Sequence, residues 1–161
     1  MSTVTDQDLL SPELTGDPFA YYAELRTSDP VHWAPASKAW LLTRYDDVVA
    51  AFGDPQLYHE RDGRPVRAGD RVFLVLQSAN RDESTFADPD HFDIGRPGKP
   101  LHVGFGRGVH ACLGAQLARI EARVALPRIL DRLGDIRVAG DVTWRPNIAS
   151  RAVTGLRIGY A

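Results

Sequence analysis

Apolar residues recur along the chain at spacings that predict a series of short elements. Phe19, Tyr22 and Leu25 fall at helical intervals behind Asp17-Pro18, an N-cap followed by proline at the first helical position. Asp29-Pro30 ends that helix. Residues 31–34 and 40–43 flank a turn with Pro35 and read as a β-hairpin. A second helix opens at Asp46 or Asp47, turns Val48, Val49 and Phe52 inward, and closes at Gly53-Asp54-Pro55. Residues 72–76 are continuously apolar, the pattern of a strand buried on both faces. Leu113, Leu117, Ile120 and Val124 stand 4, 3 and 4 residues apart, so they form one stripe of an amphipathic helix. Gln116, Arg119, Glu121 and Arg123 lie off that stripe, and Pro127 is expected to bend or end the helix. Residues 136–138 and 156–158 alternate as terminal strands.

Between these elements the pattern fails in three places. Residues 1–16 are polar and expected to be loose. Residues 56–70 are rich in charge and glycine, which predicts a loop with at most one short strand. Residues 86–111 hold Pro89, Pro97, Pro100 and five glycines without periodicity. So long an irregular segment in a compact domain usually has a function. The predicted class is α+β: a few helices beside small antiparallel sheets.

A length of 161 residues fits one domain, taken as 1–161 with an N-terminal block 1–57, a junction loop 58–70 and a block 71–161. Hydrophobic content of 43% and charged content of 25% are ordinary for a globular protein. A net charge of −2 argues against non-specific nucleic-acid binding. One cysteine excludes an internal disulfide framework and suits a reducing cytosol. No apolar run approaches the ~18 residues of a membrane span, and the first residues lack a signal-peptide pattern. The expectation is a cytoplasmic protein with no membrane and no nucleic-acid partner.

The chemistry concentrates at residues 105–114, Phe-Gly-Arg-Gly-Val-His-Ala-Cys-Leu-Gly, around the single cysteine, Cys112. Gly106, Gly108 and Gly114 remove side chains where backbone can approach a ligand. A helix-forming run starts just after Cys112, and the positive end of a helix favours thiolate over thiol. Thiolate is one of the few axial ligands that proteins give to haem iron.

The stretch resembles the cysteine-ligand loop of the cytochrome P-450 family, the haem-thiolate monooxygenases, whose pattern is Phe-Gly-x-Gly-x-His/Arg-x-Cys-x-Gly. Phe105, Gly106, Gly108, His110, Cys112 and Gly114 meet every fixed position. Residues 86–97 look like the meander before that loop in bacterial members, and residues 69–82 like the strand and short helix before the meander. Residues 17–26 and 40–49 look like the family's opening helix, strand and second helix. The resemblance implies a shortened cytochrome P-450-like fold around the cysteine loop. It places the long central helix and the Glu-x-x-Arg helix in an interval that this chain lacks. Glu60 is followed by Arg61 and Arg64, which is not that spacing, and the meander position that often carries arginine holds His91.

By the same resemblance Cys112 is the metal ligand of a b-type haem. Phe105 packs beside its sulfur, His110 points toward a propionate, and Arg107 adds positive charge there. Gly106, Gly108 and Gly114 complete the cofactor-binding set. The implied activity is monooxygenation of a small organic molecule. Without the central helix, peroxide-driven chemistry is easier to defend than NAD(P)H-driven hydroxylation. The alternative is a non-catalytic haem-binding or partner subunit. Redox partners dock on the proximal face in the family, and Arg107, Arg119 and Arg123 would supply charge there. An uncovered distal face favours a homodimer. From the residues alone two other readings of Cys112 stand: a small buried hydrophobe, and a metal site with His102 and His110. His32, His59 and His91 read as structural or exposed, and Trp33, Trp40 and Trp144 as packing residues.

Overall fold

The structure is a computed structural model. It describes residues 4, 6–53, 60–61, 64–67, 69–96, 98, 101–145 and 151–160, with backbone alone at 60, 61, 64 and 65.

The chain opens with a short helix where the sequence reads as loose. Helix α1 covers Pro12–Gly16; the Ser11 side chain accepts from Leu14 N and proline stands at its start. The signal was present in Ser11-Pro12-Glu13, an N-cap, a proline and a first-turn acid. Leu14 is buried with Val4 and Leu9, which tie the segment to the core. Helix α2 (Phe19–Ser28) follows as expected, with Asp17 Oδ1 accepting from Phe19 N at 3.3 Å. Tyr21, Tyr22, Leu25 and Arg26 are its buried side chains.

Strands β1 (Val31–Ala34) and β2 (Ala39–Leu42) form the predicted antiparallel hairpin, with Trp33 opposite Trp40. Their rings lie 5.3 Å apart. Helix α3 runs Tyr45–Gly53. The junction is more regular than its composition predicts: Glu60–Arg61 (β3) and Arg64–Pro65 (β4) pair antiparallel. Glu60 therefore lies on a strand, not on a Glu-x-x-Arg helix. Residues 54–59, with His59, lie outside the described residues.

Strand β5 (Val72–Leu74) joins the hairpin in the order β1-β2-β5. It pairs with β2 in parallel, Leu41 opposite Phe73, so this sheet is mixed rather than antiparallel. A parallel partner needs a crossover, and α3 lies between β2 and β5 in sequence. Side chains alternate across a strand, and here both faces are covered. Leu41 and Phe73 face a core with Leu9, Leu14, Tyr22 and Leu25. Leu42, Val72 and Leu74 face a second core with Val48, Ala51, Ala79 and Val103. The expectation of a strand buried on both faces is corrected in degree: β5 is only half-buried, because it forms the sheet's edge.

Helix α4 (Leu76–Ala79) follows β5, and the described residues between it and a 3-10 turn at Gly108–His110 form no helix or strand. Helix α5 then spans Ala115–Leu133. Pro127 does not end it; six more residues remain helical. The predicted stripe is not buried in this chain. Leu117, Ile120 and Val124 are 60%, 58% and 49% exposed, and Leu113 is fully exposed. Two small ladders close the chain: β6 (Arg137–Val138) with β9 (Ile158–Gly159), as the alternation predicts, and β7 (Thr143–Trp144) with β8 (Val153–Gly155).

Candidate cofactor site

The cysteine loop is held from below by side chains distant in sequence. Val103 is its buried anchor, 1% exposed, in the second core. Val103 N donates to Asn80 Oδ1 at 2.8 Å, which fixes where the loop leaves the core. Tyr45 Oη donates to Leu101 O at 2.6 Å, and Arg107 Nη1 donates to Tyr45 Oη at 3.3 Å. The first residue of α3 therefore spans both ends of the loop's first half. Farther along α3, the Phe52 ring lies 6.3 Å from the His110 ring.

Within the loop, backbone bonds make a tight double turn. Gly106 N donates to Val103 O at 2.9 Å, and Ala111 N to Gly108 O at 3.1 Å. Cys112 N donates to Phe105 O at 2.7 Å, which brings the cysteine back over the start of the motif. Glycine is required at Gly106. Its φ is +69°, and a Cβ there would stand 2.4 Å from the His110 carbonyl oxygen. Gly108 is also left-handed, at φ +58°. Gly114 caps α5, and Ala115 N donates to Cys112 O at 3.2 Å.

The result is an exposed thiol beside a cavity of about 220 Å³. Phe105, Arg107, Ala111, Cys112 and Arg119 are among its lining residues. The Arg119 guanidinium lies 4.9 Å over the Phe105 ring, and His102 stands against the same ring at 5.7 Å. The lining carries two arginines and a histidine and no carboxylate, so it is electropositive. Of the residues singled out in sequence, Phe105, Gly106, Arg107 and Cys112 line one cavity, while His110 lies against α3. The buried-hydrophobe reading of Cys112 fails, because the residue is exposed. Among the described residues, no group of three or more His, Cys, Asp or Glu is placed to hold a metal, so the site with His102 and His110 is not formed.

Sequence reasoning missed the supports. Asp82 Oδ2 accepts from Tyr45 N at 2.7 Å and so caps α3 from a distant segment. Asp82 Oδ1 accepts from Ser84 Oγ at 2.6 Å. Burial pushes the Asp82 carboxyl up, but the hydrogen bonds from Ser84 and Tyr45 outweigh it and hold it below the usual range. Beside it Glu83 forms a two-pronged pair with buried Arg26, at 2.7 and 3.2 Å. That pair lowers the Glu83 carboxyl. Ser78 Oγ accepts from Arg26 Nη1 at 3.1 Å. The run Ser78–Glu83 thus joins α2, α3 and the cysteine loop. His32 is structural, as expected: buried, with Nδ1 2.8 Å from Asp29 Oδ2. His91 is exposed.

Comparisons with known proteins agree with this geometry. The family model of cytochrome P450 matches residues 55–134, which include the whole cysteine loop. The steroid C26-monooxygenase of Mycolicibacterium smegmatis is 52% identical over 86 residues, 52% of this chain and 21% of that protein. The cytochrome P450 monooxygenase PikC of Streptomyces venezuelae is 38% identical over 124 residues, 74% of this chain and 30% of that protein. Among solved structures, P450BioI in complex with an acyl carrier protein carrying hexadec-9Z-enoic acid matches with a TM-score of 0.59 and 32% identity. That match covers 95% of this chain and 35% of P450BioI. The Bacillus subtilis polyketide-synthase cytochrome P450 PksS matches with a TM-score of 0.60 at 29% identity, over 92% of this chain and 36% of PksS. The chain thus spans between a fifth and a third of the curated relatives named here. Among the described residues no helix is long and apolar enough to cross a membrane. With its cysteine loop, its fold and these relatives in agreement, the chain belongs to the cytochrome P450 family.

Proposed function

We propose that the chain holds haem b through Cys112 and acts as a haem-thiolate oxidoreductase on a small organic molecule. The observation that carries this reading is the presentation of Cys112. Its amide is tied to Phe105 O, its thiol is exposed, and the next residue, Leu113, offers a fully exposed apolar side chain. These residues fit one face of a flat, apolar, anionic macrocycle. The thiol is a suitable axial donor, glycines leave the backbone open, and the lining charge is positive.

When bound, haem supplies the oxidative chemistry. The chain's own residues hold and orient it. Cys112 would give the thiolate, and Phe105, whose carbonyl accepts from the Cys112 amide, would pack beside it. Arg107 and His110 would offer positive charge and hydrogen bonds to the cofactor's carboxylates. Peroxide arrives already reduced and needs no electron delivery, so it is the proposed source of oxidising equivalents in place of NAD(P)H with a redox partner. The two sequence blocks share both cores, which supports their folding as one unit as far as Val103. A cytoplasmic setting, redox-partner docking on Arg107, Arg119 and Arg123, and a homodimer that covers the open haem face complete the proposal. Haemin titration followed by absorbance tests it: one equivalent should bind the wild type and not Cys112→Ala. With haem loaded, peroxide should oxidise a generic peroxidase dye faster than NADPH, ferredoxin and its reductase turn over candidate substrates.

A further inference from the structure

We propose that His32 is a proton-operated latch for the N-terminal strap, residues 6–9, closed when the imidazole carries two protons. The strap is seated by apolar anchors: Val4 and Leu9 are buried in the first core with Tyr21, Leu25 and Leu41. Leu9 also lines a cavity of about 470 Å³ with Phe19, Leu41 and Phe73, so the strap forms one side of that cavity.

His32 stands on β1, 3% exposed, between two carboxylates. Its Nδ1 lies 2.8 Å from Asp29 Oδ2, and its Nε2 lies 3.1 Å from Asp6 Oδ1. The Asp29 side chain is buried at the end of α2, whereas that of Asp6 is 58% exposed. The bond at Nδ1 therefore belongs to the fold and the contact at Nε2 to the strap. A neutral imidazole has one N–H and cannot donate to both carboxylates; the doubly protonated ring can. Two charge-assisted bonds also offset the burial of that charge.

Tyr21 supplies the other position of the switch. Its Oη lies 3.4 Å from the same Nε2. Burial pushes the Tyr21 hydroxyl up to about 12, so it keeps its proton and can donate to Nε2 once the ring is neutral. Asp6 then meets a nitrogen lone pair instead of an N–H. The strap loses that anchor and is left with its apolar contacts and the bond from the Gln7 amide to Tyr21 Oη. The titratable groups facing His32 among the described residues are Asp6 from the strap, Tyr21 from α2 and Asp29 from the end of α2. Leu41, opposite His32 on β2, carries no charge. Imidazole changes charge between about pH 5 and 8, so the latch closes toward the acid side of that range and opens toward the alkaline side.

Amide hydrogen exchange at Gln7 in the full chain as purified, corrected for the intrinsic rate, tests the latch. Protection should be roughly tenfold or more higher at about pH 6 than at about pH 8, the worth of one hydrogen bond to a charge. The ring nitrogen shifts of His32 report its protonation and should change over the same range as the protection. Asp6→Asn, a change at a half-exposed side chain, should remove most of the difference between the two pH values. Glu24→Gln, at an exposed acid of α2 near Tyr21, should keep it. Cys112→Ala should behave as the wild type does. Equal protection at the two pH values, protection that rises toward pH 8, or an unchanged pH dependence in Asp6→Asn would each overturn the proposal.

Discussion

Cys112 and Phe105 are joined by a backbone hydrogen bond of 2.7 Å that folds the cysteine back over the first residue of its own motif. The closure depends on Gly106, whose missing side chain leaves room for the His110 carbonyl. Gly106→Ala should therefore destabilise the protein by roughly 1–3 kcal/mol, from the left-handed backbone and the clash together. Gly16→Ala, where a Cβ would meet nothing within 4 Å, is the control and should stay within about 0.5 kcal/mol. Urea melts of the two variants decide this; equal midpoints would mean that the loop is not held as described.

Asn80 should matter to the loop although it lies outside the motif. Removing its side chain leaves the amide of buried Val103 without its acceptor. Asn80→Ala should cost about 1–3 kcal/mol, and Asn80→Asp, which keeps an acceptor, should cost less. Amide hydrogen exchange at Val103 reports the bond directly and should speed up in the alanine variant alone.

Acid should weaken the support beneath the loop. The folded state holds the Asp82 and Glu83 carboxyls below their usual range. Groups lowered in this way contribute stability above their unfolded pKa values, about 4, and lose it as pH falls through the folded values. Urea midpoints should thus be flat from pH 7 to about 5 and fall below about pH 4. Asp82→Asn should start lower at neutral pH and show a shallower acid decline. An unchanged decline would assign it to other carboxylates.

The open face of α5 should drive association. Leu117, Ile120 and Val124 form an exposed apolar stripe on a long helix. Large exposed apolar patches favour contact with another surface. Light scattering should find a species larger than the monomer, and Leu117→Glu with Ile120→Glu should reduce it to monomer without loss of helix by circular dichroism. A wild-type monomer at high concentration would remove the homodimer from the account.

The elements legible in sequence were those with local signals. The spacing of Phe19, Tyr22 and Leu25 and the first-turn acids of α3 sufficed for two helices. Ten contiguous residues sufficed for the cysteine loop. The parallel pairing of β5 with β2 was not legible, because continuous apolarity does not name a partner strand. Nor were the supports, because a cap such as Asp82 on Tyr45 joins residues 37 apart in sequence. Of the two outcomes expected at Pro127, an end is excluded, because proline removes only one donor and this helix continues beyond it. The stripe on α5 was read correctly as a pattern, but a pattern cannot say whether this chain contains what covers it.

Thiolate ligation of haem iron by Cys112 is the chemistry on which the proposed function depends. The absorption spectrum of haem-loaded protein, reduced and exposed to carbon monoxide, tests it most directly. The wild type should show the strongly red-shifted Soret band of thiolate ligation, and Cys112→Ala should lose it. A protein that takes up no haemin, or one whose band is unchanged by Cys112→Ala, would contradict it.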